Sequence, residues 1–348
     1  MYTFGISLYL GTGYEKNKEI IEKSNKNNAK YAFTSLHIPE EKVNNYEEEV
    51  KSLLNLCKLN NLNLIVDVGP RTLEKLGFSN FKELKQTSIT HLRLDYGFKN
   101  QEIIELSKDF NIVFNASTLS DKDINDLKAL NADFSRFLAC HNFYPKPLTG
   151  LSLKKVSKIN EKLKSFGITT MAFVAGNKDL RGPLHMGLPT VEEHRCGDLL
   201  FNMLQLIKDT ETDIPMIGDI DIKDETWIKL KELSEGYISL PATIDEKYSF
   251  VKNIIHHDRL DSSDYVIRSQ ESREYSSQGE IIQAELLKER NKGSVFIGNL
   301  DYLRYSGELE IARQDLALEP KVNVIGKINN DGIKYLDYIT EGLGFKFI

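Results

Sequence analysis

Asp67, Asp95 and Asp219 each close an apolar run that reads as a β-strand, in Asn63 to Gly69, His91 to Gly97 and Ile214 to Ile220. Carboxylates delivered to one end of a sheet invite acid–base chemistry. Burial and neighbouring charge can separate their pKa values, leaving one protonated while another stays ionised. Two such groups suffice to cleave a glycosidic bond: one protonates the leaving oxygen and the other acts as nucleophile or activates water. Arg93, two residues before Asp95 and on the same side of its strand, supplies the competing reading of a plain ion pair. Glu192 is a fourth candidate carboxylate.

Glu192 lies in the stretch Val174 to Arg195, which holds three glycines, two prolines and the groups Arg181, His185, His194 and Arg195. Such a composition forbids regular structure and suits a ligand-holding loop. Thr190 followed by Glu193 fits a capping box, and Leu199, Leu200, Met203, Leu204 and Ile207 keep helical spacing, so a helix is expected over Thr190 to Lys208. Its start at Thr190 would be an anion site.

Other apolar runs end in polar groups too: Ser7 and Tyr9, Ser35 and His37, Asn115 and Ser117, His141, Asn142 and Tyr144, Asn177, and Asp221 beside Asp219. So many hydrogen-bonding groups argue for a polyhydroxylated substrate. A divalent ion held by His37, Asp67, His141 and Asp219 is a rival use of the same residues, but no local His-x-His spacing supports it, and neither metal nor cofactor is expected.

The elements that must position these groups repeat. Strand-like runs occur at Thr3 to Tyr9, Tyr31 to Ile38, Asn63 to Gly69, His91 to Gly97, Asn111 to Ser117, Asp133 to Ala139, Thr169 to Ala175 and Ile214 to Ile220, with helical periodicity between them, as in Tyr46 to Leu59. Alternating strands and helices imply parallel strands with right-handed crossovers, and eight units closing on themselves make an α/β fold of the (β/α)8 TIM barrel type. Catalytic groups then sit at the strands' C-terminal ends. A doubly wound open sheet is the runner-up. Gly11-Thr12-Gly13 is a poor dinucleotide signal, since Lys16 stands where the third glycine belongs.

After about Gly236 the texture changes to short alternating segments: Tyr265 to Ser269, Ser294 to Gly298, Gly307 to Arg313, Lys321 to Ile328 and Gly332 to Ile339. These read as a small, mainly β domain, with Asp245 to His256 helical. The expected division is a barrel over 1–237 and the β domain over 238–348. The whole chain has 348 residues, 41% hydrophobic and 28% charged, an ordinary globular composition. Its net charge of −6 speaks against nucleic acid, and no apolar run approaches the roughly 20 residues that span a bilayer. Cys57, Cys140 and Cys196 lack metal spacing and are odd in number, and no signal peptide is read at the start, so a cytoplasmic location is expected.

The run His141 to Ser152, with Gly176-Asn177, Leu180 to Leu184 and Gly187 to Arg195, resembles the bacterial 6-phospho-N-acetylmuramidase family. The resemblance covers the full chain. It implies an N-terminal barrel, a cyclophilin-like C-terminal β domain, and cytoplasmic cleavage of N-acetylmuramic acid 6-phosphate from N-acetylglucosamine during cell-wall recycling. The phosphate so implied needs cations, and two groups offer them: Arg181, His194 and Arg195 in the loop, or Arg268, Ser269 and Arg273 with Tyr305 in the second domain, which could close over the barrel mouth. Two other classes compete: a non-catalytic carbohydrate-binding or scaffold protein, and a sugar-phosphate isomerase or aldolase. An aldolase wants a buried lysine at a strand end, and only Lys146 and Lys178 lie near one.

Overall fold

The computed structural model describes residues 2–35, 46–69, 72–75, 78–94, 97–277, 281–340 and 342–348. They form two compact units, residues 2–234 and 235–348.

In the first unit, eight parallel strands close into a barrel: β1 (Gly5–Ser7), β2 (Tyr31–Ser35), β3 (Asn63–Val68), β4 (Ile89–Leu94), β5 (Asn111–Asn115), β6 (Phe137–Cys140), β7 (Thr169–Val174) and β8 (Ile214–Ile217). The pairing of Gly5 with Met216 joins β1 to β8 and rules out the open doubly wound sheet. Glycine is required at position 5, because a Cβ there would lie 2.4 Å from Met216 Sδ and 2.8 Å from Tyr31 Cβ. The barrel interior is filled rather than hollow. Phe33, Ile65, Val113, Leu138, Met171, Phe173, Ile214 and Met216 interlock there, and each such side chain contributes about 1.5–3 kcal/mol by leaving water.

The helices between strands start where short polar side chains catch free backbone amides. Ser120 and Asp123 form a reciprocal capping box at Asp121–Ala129, and Ser152 caps Leu153–Lys164. Helix Tyr46–Leu59 has the bounds its periodicity predicts. The strand expected from Asp133 starts later, at Phe137, because the Asp133 side chain caps the 3-10 turn Phe134–Arg136. The helix expected from Thr190 also starts later. Asp198 caps Leu199–Asp209, accepting from the Phe201 amide at 2.9 Å, and only a 3-10 turn, Glu192–Arg195, precedes it. The Thr190 hydroxyl instead joins two loops, accepting from Phe173 N and donating to Asn142 O, so no helix-start anion site exists at Thr190.

The second unit has two sheets. The larger has the order β10 (Ala242–Ile244), β15 (Val322–Ile328), β13 (Ser294–Gly298), β14 (Leu309–Ala312), β12 (Val266–Arg268), all antiparallel. The smaller joins β11 (His256–His257), β16 (Gly344–Phe347) and β9 (Tyr237–Leu240). The strand expected over Gly332 to Ile339 is absent: Asn330–Ile333 is helical and Leu336–Tyr338 is a 3-10 turn. Its apolar residues Ile333, Leu336 and Ile339 recur every three positions, and that is helical rather than strand spacing. The expected helix over Asp245 to His256 is a 3-10 segment, Glu246–Asn253, broken at Tyr248.

Candidate functional site

Strand register alone brings one set of predicted residues together. Ser35 is paired with Asp67 across β2 and β3, and Asp67 with Arg93 across β3 and β4, so the three stand at one level near the strands' C-terminal ends. Arg93 Nη1 donates to Asp67 Oδ1 at 2.9 Å, Arg93 Nη2 donates to Asn142 Oδ1 at 2.6 Å, and Ser35 Oγ donates to Asp67 Oδ2 at 3.4 Å. The Arg93 side chain is buried, at 7% exposure, and Asp67 is at 16%. A carboxylate fixed by a forked guanidinium at the barrel mouth can carry charge through a reaction without moving.

Asp219 is held differently. It is 1% exposed, and its oxygens accept from Gly176 N at 2.8 Å, Arg181 N at 2.9 Å and Leu188 N at 3.0 Å. Burial pushes its carboxyl above the ordinary range, against the opposing pull of these three amides. Asp219 is therefore the post around which the loop Gly176 to Leu188 is wound. A side chain on Gly176 would lie 2.7 Å from Asp219 Cβ. Next to it Asp221, fully buried, takes the Trp227 indole N–H and meets Lys16, Lys23 and Lys178 at 3.2, 3.5 and 3.2 Å. Burial, the largest influence, raises its pKa, but Trp227, Lys178, the Ile222 amide and Lys23 outweigh it and hold the carboxyl below the ordinary range. Lys178 is thus an ion-pair partner, and Lys146 is exposed.

Glu192 and Arg195 form a two-pronged pair with both contacts at 2.7 Å. Glu192 also accepts from Leu148 N and Gly150 N, each at 2.8 Å. Arg195 also donates to the carbonyls of Tyr144, Lys146, Met186 and Gly187. Arg195 first, then the two amides, hold the Glu192 carboxyl down to about 2 against the opposing effect of burial. This arrangement staples the segment 144–150 to the segment 186–195. It leaves Glu192 no proton to give and Arg195 no donor for a phosphate, which corrects the binding role expected of Arg195.

The other sequence candidates divide. His141 is fully buried with Nε2 on Asn160 Oδ1, which in turn anchors Thr210 and Thr212. It faces the helix layer rather than the mouth, contrary to expectation. His194 is likewise buried, on Gln205, and burial pushes its ring down to about 4. Asn177 bridges Thr226 and the Lys223 amide, and Ser7 donates to Ile217 O across the β1–β8 seam, so these four are framework. Asn115 folds back on the Ser117 amide and lines a cavity of about 170 Å³ with Leu94, Phe98 and Phe114. Tyr144 is half-buried. Arg181 lays its guanidinium over the Tyr9 ring at 4.5 Å, and Tyr9 OH donates to Gly218 O. His37 and Asp95 lie outside the described residues.

In the second unit Arg268 donates to Glu308 at 2.8 Å, with Glu310 at 3.6 Å, so a phosphate clamp built on Arg268 is already countered by the Glu308 carboxylate. Ser269 is buried against His256 Nδ1, Arg273 is exposed, and Tyr305 OH accepts from Arg304. Sequence reasoning missed Glu308 and Glu310. The signal was charge at alternate positions of a segment whose other positions, Leu309 and Ile311, are fully buried. The four-residue metal set is not assembled, since His141 and Asp219 are committed as described. Among the described residues no group of three or more His, Cys, Asp or Glu could hold a metal ion. No helix among them is long and apolar enough to cross a membrane.

Two family models match, described as 6-phospho-N-acetylmuramidase, N-terminal, over residues 4–232, and 6-phospho-N-acetylmuramidase, C-terminal, over residues 238–348. Among solved structures, a conserved protein of unknown function from Enterococcus faecalis is 31% identical with a TM-score of 0.79, covering 100% of this chain and 96% of that one. An uncharacterized B. cereus protein is 25% identical with a TM-score of 0.78, each chain covered over 100%. No curated protein matches the chain.

Proposed function

The chain belongs to the 6-phospho-N-acetylmuramidase family along both of its units, and from that membership we propose that it hydrolyses the bond between N-acetylmuramic acid 6-phosphate and N-acetylglucosamine. The barrel, a fold whose reacting groups gather at the strand ends, is the catalytic unit, and the second unit is cyclophilin-like. The observation that carries the reading is the Ser35–Asp67–Arg93–Asn142 row at the mouth, a carboxylate held by a guanidinium and a hydroxyl beside an amide. Asp67 is the carboxylate that faces the developing positive charge on the sugar ring, as nucleophile or as base toward water. Asp95, which follows Leu94 in the sequence, is the partner acid.

Glu192 and Asp219 act through position: Glu192 staples the rim and Asp219 winds the loop that presents Arg181. Arg181, stacked on Tyr9 in the loop that Asp219 winds, is the cation assigned to the 6-phosphate. Three free cysteines, one of them exposed, accord with work in a reducing cytoplasm on products of cell-wall recycling.

The test is turnover of the 6-phosphorylated disaccharide beside its unphosphorylated form, by wild type and by Asp67→Asn. Cleavage of the phosphorylated form alone, lost in the variant while its folded spectrum is kept, is the expected result. No cleavage of either form by wild type removes the hydrolase reading.

A further inference from the structure

In the second unit, β14 turns Leu309 and Ile311 into the core and Glu310 and Ala312 to the other face, with Glu308 just before the strand. Register sets Arg268, Glu310 and Phe296 in one row across β12, β14 and β13. On this row lies a cavity of about 270 Å³ walled by Arg268, Tyr302, Tyr305, Glu308 and Glu310. The turn Leu300–Tyr305 that carries both tyrosines lies close against β13: a Cβ on Gly298 would come within 2.5 Å of Tyr305 O.

The two carboxyls of the cavity differ. Glu308 Oε1 accepts from Arg268 Nη2 at 2.8 Å and Arg259 Nη1 at 3.0 Å. Glu310 has no hydrogen bond among the described residues; its nearest cation is Arg268 Nε at 3.6 Å. We infer that this cavity binds one uncharged sugar ring, with Glu310 donating its proton to a ring substituent, Glu308 and Arg268 completing the polar row, and the tyrosine rings forming the wall.

Charge decides the ligand class. Glu308 answers Arg268 at 2.8 Å and Asp261 answers Arg259 at 2.7 Å, so neither cation is left unmatched for a phosphate. The groups around Glu310 are Glu308 just before its strand, Arg268 on β12, Arg259 before β12, Arg290 before β13 and Tyr302 on the turn. Burial first, then Glu308, pushes the Glu310 carboxyl up to about 7 despite the three arginines, so near neutral pH it is in part a hydrogen-bond donor. Aromatic faces with a few convergent polar groups are the chemistry that holds a pyranose. The cavity lies wholly within residues 235–348, and the inference goes beyond the hydrolase reading without depending on it.

The experiment is a titration of the full chain with N-acetylglucosamine, followed through the ring resonances of Tyr302 and Tyr305 at pH 6 and pH 8. Glucosamine at pH 6, where its amine is protonated, and anionic glucose 6-phosphate serve as charge controls. The expected result is binding of the neutral sugar roughly tenfold tighter at pH 6, the change in protonated fraction across a pKa of about 7. Glu310→Gln, which keeps a donor, removes that pH dependence, and Tyr305→Ala weakens binding at both pH values. Unmoved tyrosine resonances, equal wild-type affinity at the two pH values, or preference for glucose 6-phosphate overturns the inference. Asp67→Asn separates the two readings: it abolishes turnover if the barrel hydrolyses, and leaves the tyrosine shifts intact if this cavity binds sugar.

Discussion

Arg93 stands directly across the sheet from Asp67, and its fork joins that carboxylate, at 2.9 Å, to the amide oxygen of Asn142, at 2.6 Å. One guanidinium thus ties β3 and β4 to the segment that follows β6. A lysine offers a point charge in place of the fork and cannot span both partners in the same plane. Arg93→Lys is expected to lower kcat/KM by on the order of 10²-fold, the cost of misplacing a positioned group by an ångström, with a smaller change in melting temperature. Steady-state kinetics beside thermal unfolding decides it; unchanged kcat/KM contradicts a positioning role for the fork.

Glu192 is held at about 2, chiefly by Arg195, against 4.5 for an unperturbed group. The folded-state value is depressed, so this contribution to stability is complete above about 4.5 and is lost as pH falls toward 2. Glu192→Gln is expected to be less stable than wild type by about 2 kcal/mol at pH 7, the worth of charge-assisted hydrogen bonds, with a smaller gap at pH 3. Urea unfolding at both pH values measures it, and a gap that is the same at pH 3 counts against the ion pair.

His194 and His91 are buried as neutral rings, and burial pushes each down to about 4 from 6.5. The unfolded chain binds their protons first, so stability falls as pH drops from 6.5 toward 4, at about 1.4 kcal/mol per pH unit for each group. His194→Gln should reduce that slope by one proton. Unfolding free energies at intervals between pH 7 and pH 4.5 test this, and an unchanged slope would refute it.

Asp219→Asn keeps the shape of the side chain but replaces one accepting oxygen by a donor, facing the amides of Gly176 and Leu188 or that of Arg181. The expected outcome is faster hydrogen exchange at the amides that lose their acceptor, by roughly tenfold or more, with exchange in β7 unchanged. Protection retained at all three amides would show that the loop does not depend on Asp219.

Much of this molecule is legible in its sequence. Eight apolar runs with helical segments between them make a parallel α/β fold legible, because strand and helix periodicities are local properties of a few residues each, whereas closure into a barrel rests on the pairing of β1 with β8. The helix Tyr46–Leu59 follows from Val50, Leu53, Leu54 and Cys57 on one face. Local competition limited the reading at element ends. Asp198 outranked Thr190 as a cap, and Asp133 made a turn where a strand was expected, because an aspartate satisfies free amides in either setting.

The strand-end carboxylates were equally legible as a set and indistinguishable as individuals. By its amino acids the sequence determined that Asp67, Asp219, Asp221 and Glu192 would lie on or beside the loops after the strands. Only the tertiary structure decided what each does there, because a carboxylate's role depends on which donors reach it from distant parts of the chain. Register gave Asp67 a guanidinium and a hydroxyl at the mouth, loop winding gave Asp219 three backbone amides, and three lysines surrounded Asp221. The same holds for Glu308 and Glu310, two residues apart in the sequence: the arginines that answer one and leave the other protonatable come from positions 259 and 268, and only pairing of β12 with β14 brings them near.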